Sequence, residues 1–449
     1  MRRSAMILAA ALTVSASAAA GARAAEPDGL TVYAGVTVID GTGAAPRPGM
    51  AVVVRGERIE AVVPLAQAPA GGRRPDVAGL YVTPGLIDTH VHLATSPDRR
   101  AAEAYMRRML YGGVTAVRDM AGDARALADL SRASRQGEIA APDVYYSALM
   151  AGPDFFKDPR TQAAARGVEP GRAPWMQAIT DEVDLPLAVA LARGTGASAI
   201  KIYADLPGPL TARIVAEAHR QGFRVWAHGM VFPATPAEEV AAGVDVLSHV
   251  CMLGYEASDV KPAAYHRRAP VEADRFKDGG NPKVDALFAE MARRGTILDA
   301  TDHVYVELDQ ARAADPKAPP PYCTASLAEA LTARAYKAGV RITAGTDGFA
   351  PVESAYPALH DEMELLQNKA GMAPLDVIAA ATRNGAAAAG QADMGEIAPG
   401  KLADLVFVSR DPSRDVAAMR SVMLTVKRGT DYPRKDYRPI AADEVRGFQ

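Results

Sequence analysis

From about residue 30 the chain alternates apolar and polar positions with a period of two. LTVYAGVTVIDG, MAVVVRGERIEAVVP and GLYVTPG are short runs rich in β-branched residues, separated by glycine and polar turns. Such runs read as strands, and the turn around Arg55 to Arg58 reads as a hairpin. KLADLVFVSRDP and VMLTVKRG, near the other end, return to the same style. The two ends are therefore predicted to join in one small β-sandwich domain, residues 26–85 with 395–449. Between them the rhythm changes to short apolar runs alternating with alanine-rich stretches whose apolar residues recur at helical spacing, as in βα units around a parallel sheet. Eight candidate strands are present: LIDTHVHL, GGVTAVRDM, DVYYSAL, AIKIYAD, RVWAHGM, DVLSHV, TILDATDH and RITAGTDGF. That number closes a (β/α)8 TIM barrel, here residues 86–394. An open doubly wound sheet would share the rhythm, so the count favours the barrel without excluding the alternative. Residues 152–196, with GPDFFKDPR and VEPGRAPW, break the pattern and are expected to form an insertion at the barrel mouth.

The chemistry lies where these strands end. His90 and His92 are one residue apart in TPGLIDTHVHL, so on a strand they project to the same face and offer two imidazoles to one point. An isolated H-x-H is weak evidence, since a polar pair in a surface turn is commoner. Here, however, further ligand types recur at the C-terminal strand ends, where barrel active sites are built. Lys201 lies in the fourth strand, His228 ends the fifth, His249 ends the sixth, and Asp347 ends the eighth in AGTD. Taken singly, Lys201 would reach for the surface and each histidine would be a hydrogen-bonded core residue.

The ordered set PGLIDTHVHL, GVTAVRDM, IKIYAD, AHGM, AAGVDVLSHV, AGTDG and GEIAPGKLADLVF resembles the amidohydrolase superfamily, binuclear subtype. The resemblance runs over nearly the whole chain and points to its imidazolonepropionase-like and Xaa-Pro dipeptidase-like members. It implies two divalent metal ions. Lys201 would be carbamylated by CO2 and bridge them, His90, His92 and Asp347 would hold one ion, and His228 with His249 the other. Imidazole and carboxylate ligands suit zinc, with iron, cobalt, manganese and nickel left open. The implied reaction is hydrolysis of an amide by a metal-bridging hydroxide, with Asp347 as the catalytic group that takes and passes on the proton. Tyr203, His303 and Arg118 are candidates for substrate contact, each with a structural role as the alternative. The rival readings are a hydrolase or deaminase of cyclic amides or lactones, and a barrel that binds without catalysis. His219, His266 and His360 are expected to face solvent.

Composition narrows the partners. A formal net charge of −3 with 23% charged residues gives no basic surface for nucleic acid, which leaves a small-molecule substrate, with a homo-oligomer left open. Residues 1–25 join Arg2 and Arg3 to an apolar stretch and then to small residues at Ala22 to Ala24, the order of a cleavable signal peptide. That stretch is shorter than the roughly 20 residues of a membrane span. A periplasmic or secreted protein without a stable membrane anchor is expected. Such a compartment permits a disulfide between Cys251 and Cys323, which the sequence alone leaves undecided.

Overall fold

A computed structural model describes residues 29–277, 279–315, 317 and 320–446. The segment read as an export signal lies outside them. The eight expected barrel strands are all present: Leu86–Val91, Val114–Asp119, Asp143–Ala151, Ala199–Ile202, Arg224–His228, Val246–Ser248, Ile297–Asp299 and Ile342–Thr343. They pair in parallel and in sequence order. The ring closes where the backbone N–H of Thr89 donates to the Ala344 carbonyl at 3.0 Å and that of Asp347 to the His90 carbonyl at 2.9 Å. Every residue of the first three strands is buried, as a sheet covered on both faces requires.

The outer helices start and stop on local signals. Asp98 caps Arg99–Tyr111, Asn281 caps Pro282–Arg294, and Thr235 with Glu238 forms a reciprocal capping box on Pro236–Ala242. Gly243 and Gly295 end the latter two helices at φ 90° and 77°, a conformation a side chain would strain. The 152–196 segment contains a short strand pair, Arg172–Ala173 with Met176–Ala178, that extends the third barrel strand, and also the helix Leu185–Gly194 that follows that strand.

The chain ends form a separate mixed sheet. Its order is Thr430–Pro433, Val422–Lys427, Leu405–Val408, Tyr81–Pro84, Leu30–Val38, Arg47–Arg55 and Arg58–Pro64. The expected hairpin is there, with Arg55 paired to Arg58 around Gly56 at φ 56°. Tyr33, Val52, Ile59, Val82, Phe407 and Val426 share its apolar core. Two cations, Lys427 buried and Arg428 half-buried, tie this sheet to the barrel: Lys427 Nζ lies 3.0 Å and Arg428 Nη2 2.7 Å from the carboxylate of Asp143, at the start of the third barrel strand. No helix among the described residues is long and apolar enough to cross a membrane.

Candidate active site

The first barrel strand delivers His90 within its last turn of pleat and His92 just beyond its end. Both imidazoles reach Asp347: Nε2 of His90 lies 3.5 Å and Nε2 of His92 3.2 Å from Oδ1. His249 approaches the other carboxylate oxygen at 3.8 Å. His90, His249 and Asp347 present ligating atoms within 4.8 Å of one another, a group able to hold a metal ion. The His228 ring lies 4.5 Å from that of His249. Lys201 sits on the fourth strand in register with Trp226 of the fifth, with its Nζ 5.9 Å from the Tyr203 ring centre. The six candidate ligand residues foreseen thus gather at one end of the barrel.

The backbone is bent to achieve this. His249, Thr301 and Asp347 adopt left-handed φ values of 73°, 56° and 50°, unusual for residues with side chains, and cluster at this mouth. Surrounding bonds hold them there. His249 N–H donates to Asp299 O at 2.9 Å, and the His249 ring meets Thr301 Oγ1 at 3.0 Å.

Burial sets the charge states. It lowers the pKa of His90, and it lowers those of His228 and His249 well below the usual imidazole value. Burial, followed by the Arg118 cation, brings Lys201 down to about 7. For Asp347 burial acts upward, but the imidazoles of His90, His249 and His92 outweigh it and hold the carboxyl far below its usual range. Neutral His90, His228 and His249 beside an ionised Asp347 are in the forms that bind metal, whereas at His92 burial is outweighed by the Asp347 carboxylate, which raises the imidazole pKa.

Three carboxylates position these groups, and none of them stood among the candidate site residues. Asp299, fully buried at the end of the seventh strand, accepts from His90 Nδ1 at 2.8 Å, Ser248 Oγ at 2.9 Å, Thr89 Oγ1 at 2.8 Å and Arg118 Nη2 at 2.8 Å. It leaves His90 Nε2 free to face Asp347. Asp88 holds the turn before Asp347 by accepting from Thr346 Oγ1 at 2.9 Å and from its N–H at 3.1 Å. Asp119 anchors the chain after His92 through Leu93 N–H at 2.6 Å. Only the sequence position at a strand end could have signalled Asp299.

Two of the candidate substrate contacts need correction. Arg118 is fully buried below the mouth, donating to Thr89 O and Asp299 and lying over Trp226 at 4.6 Å, so it supports the site from behind. His303 does not end a strand: the seventh strand stops at Asp299 and the helix Asp302–Ala314 begins before it. Its Nε2 faces Glu307 at 3.2 Å on that same helix. Tyr203 does border the site. Its ring lies 4.9 Å from His228 and stacks on Phe155 at 4.5 Å, and its hydroxyl is 3.4 Å from that of Tyr265. Phe155 and Arg160, whose guanidinium lies 6.0 Å from the Tyr203 ring, bring the start of the 152–196 segment to the mouth. Cys251 and Cys323 are joined, with Cα atoms 6.2 Å apart. His219 and His266 are exposed, as expected, whereas His360 is buried and bonds the Gly112 carbonyl at 2.8 Å, contrary to expectation.

Residues 81–430 match the amidohydrolase family. The chain is 29% identical to an imidazolonepropionase of Micrococcus luteus over 303 residues, which is 60% of this chain and 74% of that one. It is 24% identical to the imidazolonepropionase of Deinococcus radiodurans over 436 residues, 86% of this chain and 95% of that one. Its fold is similar to that of a solved Xaa-Pro dipeptidase with methionine bound in the active site, at a TM-score of 0.71 and 20% identity, covering 90% of this chain and 100% of that one. The chain therefore belongs to the amidohydrolase family, and it is a hydrolase of carbon–nitrogen bonds.

Proposed function

We propose that this is an exported hydrolase that works with two divalent metal ions, zinc the first choice, and cleaves an amide followed by an amino acid with a free carboxylate. Dipeptides and N-acyl amino acids are the substrate class. The observation that carries this reading is a pair of orphaned nitrogens. Lys201 Nζ and His228 Nδ1 are buried without a hydrogen-bond partner, beside the His90, His249 and Asp347 group. Leaving such a group unsatisfied costs about 1–3 kcal/mol, and metal coordination would remove that cost. An ammonium repels cations, but a lysine brought down to about 7 offers a substantial fraction of neutral amine at neutral pH, the form that takes up CO2. As a carbamate, Lys201 would bridge the ions held by His90, His92 and Asp347 and by His228 and His249.

Bound ions of this kind polarise a carbonyl and acidify water. The chain's own residues do the rest. Asp347, ionised, accepts a proton and returns it to the leaving nitrogen. Tyr203, whose phenol is pushed up by burial first and by Tyr265 next, stays protonated and can donate to the oxygen that gains charge. Export is proposed from the N-terminal pattern, and the Cys251–Cys323 bond suits an oxidising compartment. The intact mass of protein recovered outside the cytoplasm should correspond to a start near Ala24 or Ala25. A mass retaining Met1 would overturn export by cleavage.

The substrate reading draws on the dipeptidase-like fold and on guanidinium groups beside an aromatic-walled mouth. Removing the charged partner of a buried ion costs roughly 2–5 kcal/mol, so an N-acyl amino acid should exceed its C-terminal amide in kcat/KM by about 30-fold or more. The imidazolonepropionase relatives favour a second reading, a cyclic amide. Equal rates for acid and amide would defeat the acid reading and leave the metal chemistry standing, and activity confined to lactones and cyclic imides would favour the second reading.

A further inference from the structure

We propose that Arg268 receives the substrate's carboxylate and so sets the preference for acids over amides. This rests on the acid-substrate reading above. Arg268 follows the short 3-10 turn Tyr265–Arg267, in the loop between the sixth and seventh barrel strands. Its guanidinium carbon lies 4.1 Å from the Tyr265 ring centre and 4.5 Å from that of Tyr322. The Tyr265 ring is itself 5.6 Å from that of His228. One aromatic ring therefore separates this cation from the candidate ligands.

Its bonding is incomplete. Nη1 donates to the Tyr265 carbonyl at 2.7 Å, whereas Nε is buried and has no partner, and no carboxylate pairs with the group among the described residues. Arg160, the other guanidinium near Tyr203, is already satisfied. Its Nε and Nη2 both bond Asp158, at 3.0 and 2.8 Å. A guanidinium is planar, with paired N–H groups that match the two oxygens of a carboxylate, and the two rings hold that plane in one orientation. The platform is fixed to the site as well. Tyr322 precedes Cys323, whose disulfide partner Cys251 lies two residues beyond His249.

The test compares kcat/KM for an N-acyl amino acid and its C-terminal amide in the wild type, Arg268→Met and Arg268→Lys, with melting temperature and metal content as measures of folding. The acid-to-amide ratio is expected to fall about 30-fold in Arg268→Met, mainly through KM, and to be partly kept in Arg268→Lys. A wild type that prefers acids together with an Arg268→Met that keeps the same preference overturns the assignment of Arg268 and leaves the acid reading standing. A wild-type ratio near one defeats both. Should the variants not fold, wild-type protein treated with phenylglyoxal and mapped by mass spectrometry decides. Protection of Arg268 by the N-acyl amino acid but not by its amide supports the proposal, and no protection overturns it.

Discussion

Replacing Lys201 with alanine is expected to remove nearly all hydrolysis and to lower the metal content from about two ions per chain towards one. The loss should exceed the roughly 10- to 100-fold typical of residues that only orient a ligand. The reason is the lysine's position: it is buried, its nitrogen has no partner, and it stands one strand from His228. Short carboxylic acids should restore part of the activity, because a small carboxylate can fill the space the side chain leaves and supply the missing anionic oxygens. Elemental analysis after reconstitution with bicarbonate, alongside rates with and without added acid, checks all three expectations. Full activity without rescue, or a wild type that stays at one ion, would remove Lys201 from the bridging role.

The second large effect is expected from a residue outside the proposed ligand set. Asp299→Asn keeps the shape of the side chain but removes the charge that His90, Arg118 and Ser248 share. Arg118 would be left fully buried without its counter-ion, and breaking a buried pair in this way costs about 3–5 kcal/mol. The single amide oxygen of Asn is also a weaker acceptor for His90 and cannot serve all four donors that Asp299 now binds, so the ring is held less firmly and metal affinity should fall by about 10- to 100-fold. Melting temperature and metal titration should therefore fall together in Asp299→Asn. Unchanged metal affinity in a destabilised variant would limit Asp299 to supporting the core.

The barrel was legible because each strand is a short apolar run bounded by turn residues, and because the ligand-type side chains stand at the ends of those runs. His90, His92, His228, His249 and Asp347 needed only that placement. The supporting network was not legible in the same way. His90 and Asp299 are 209 positions apart, and nothing local to either marks the other. TILDATDH read as one strand through His303 because no residue preference announces a left-handed Thr301. Arg118 carried a structural role as its alternative, but a single sequence cannot show that Trp226 and Asp299 enclose it. Tyr265, Arg268 and Tyr322 lie in irregular loops, where no hydrophobic period assigns a face. His360 is different. Its helix, Leu359–Asn368, buries Leu359, Met363 and Leu366 with it, so the stripe was present and the polar side chain concealed it.

The strand Tyr81–Pro84 takes its two neighbours from opposite ends of the chain. Leu30–Val38 is made before it, while Leu405–Val408 follows Pro84 by roughly 320 residues. Gly85 alone separates this strand from the one that carries His90. During synthesis one edge of Tyr81–Pro84 thus stays open until Leu405–Val408 has emerged, and pairing across so long a loop is slow. A polypeptide released early would keep that apolar edge open to other chains directly behind its unfinished catalytic strand.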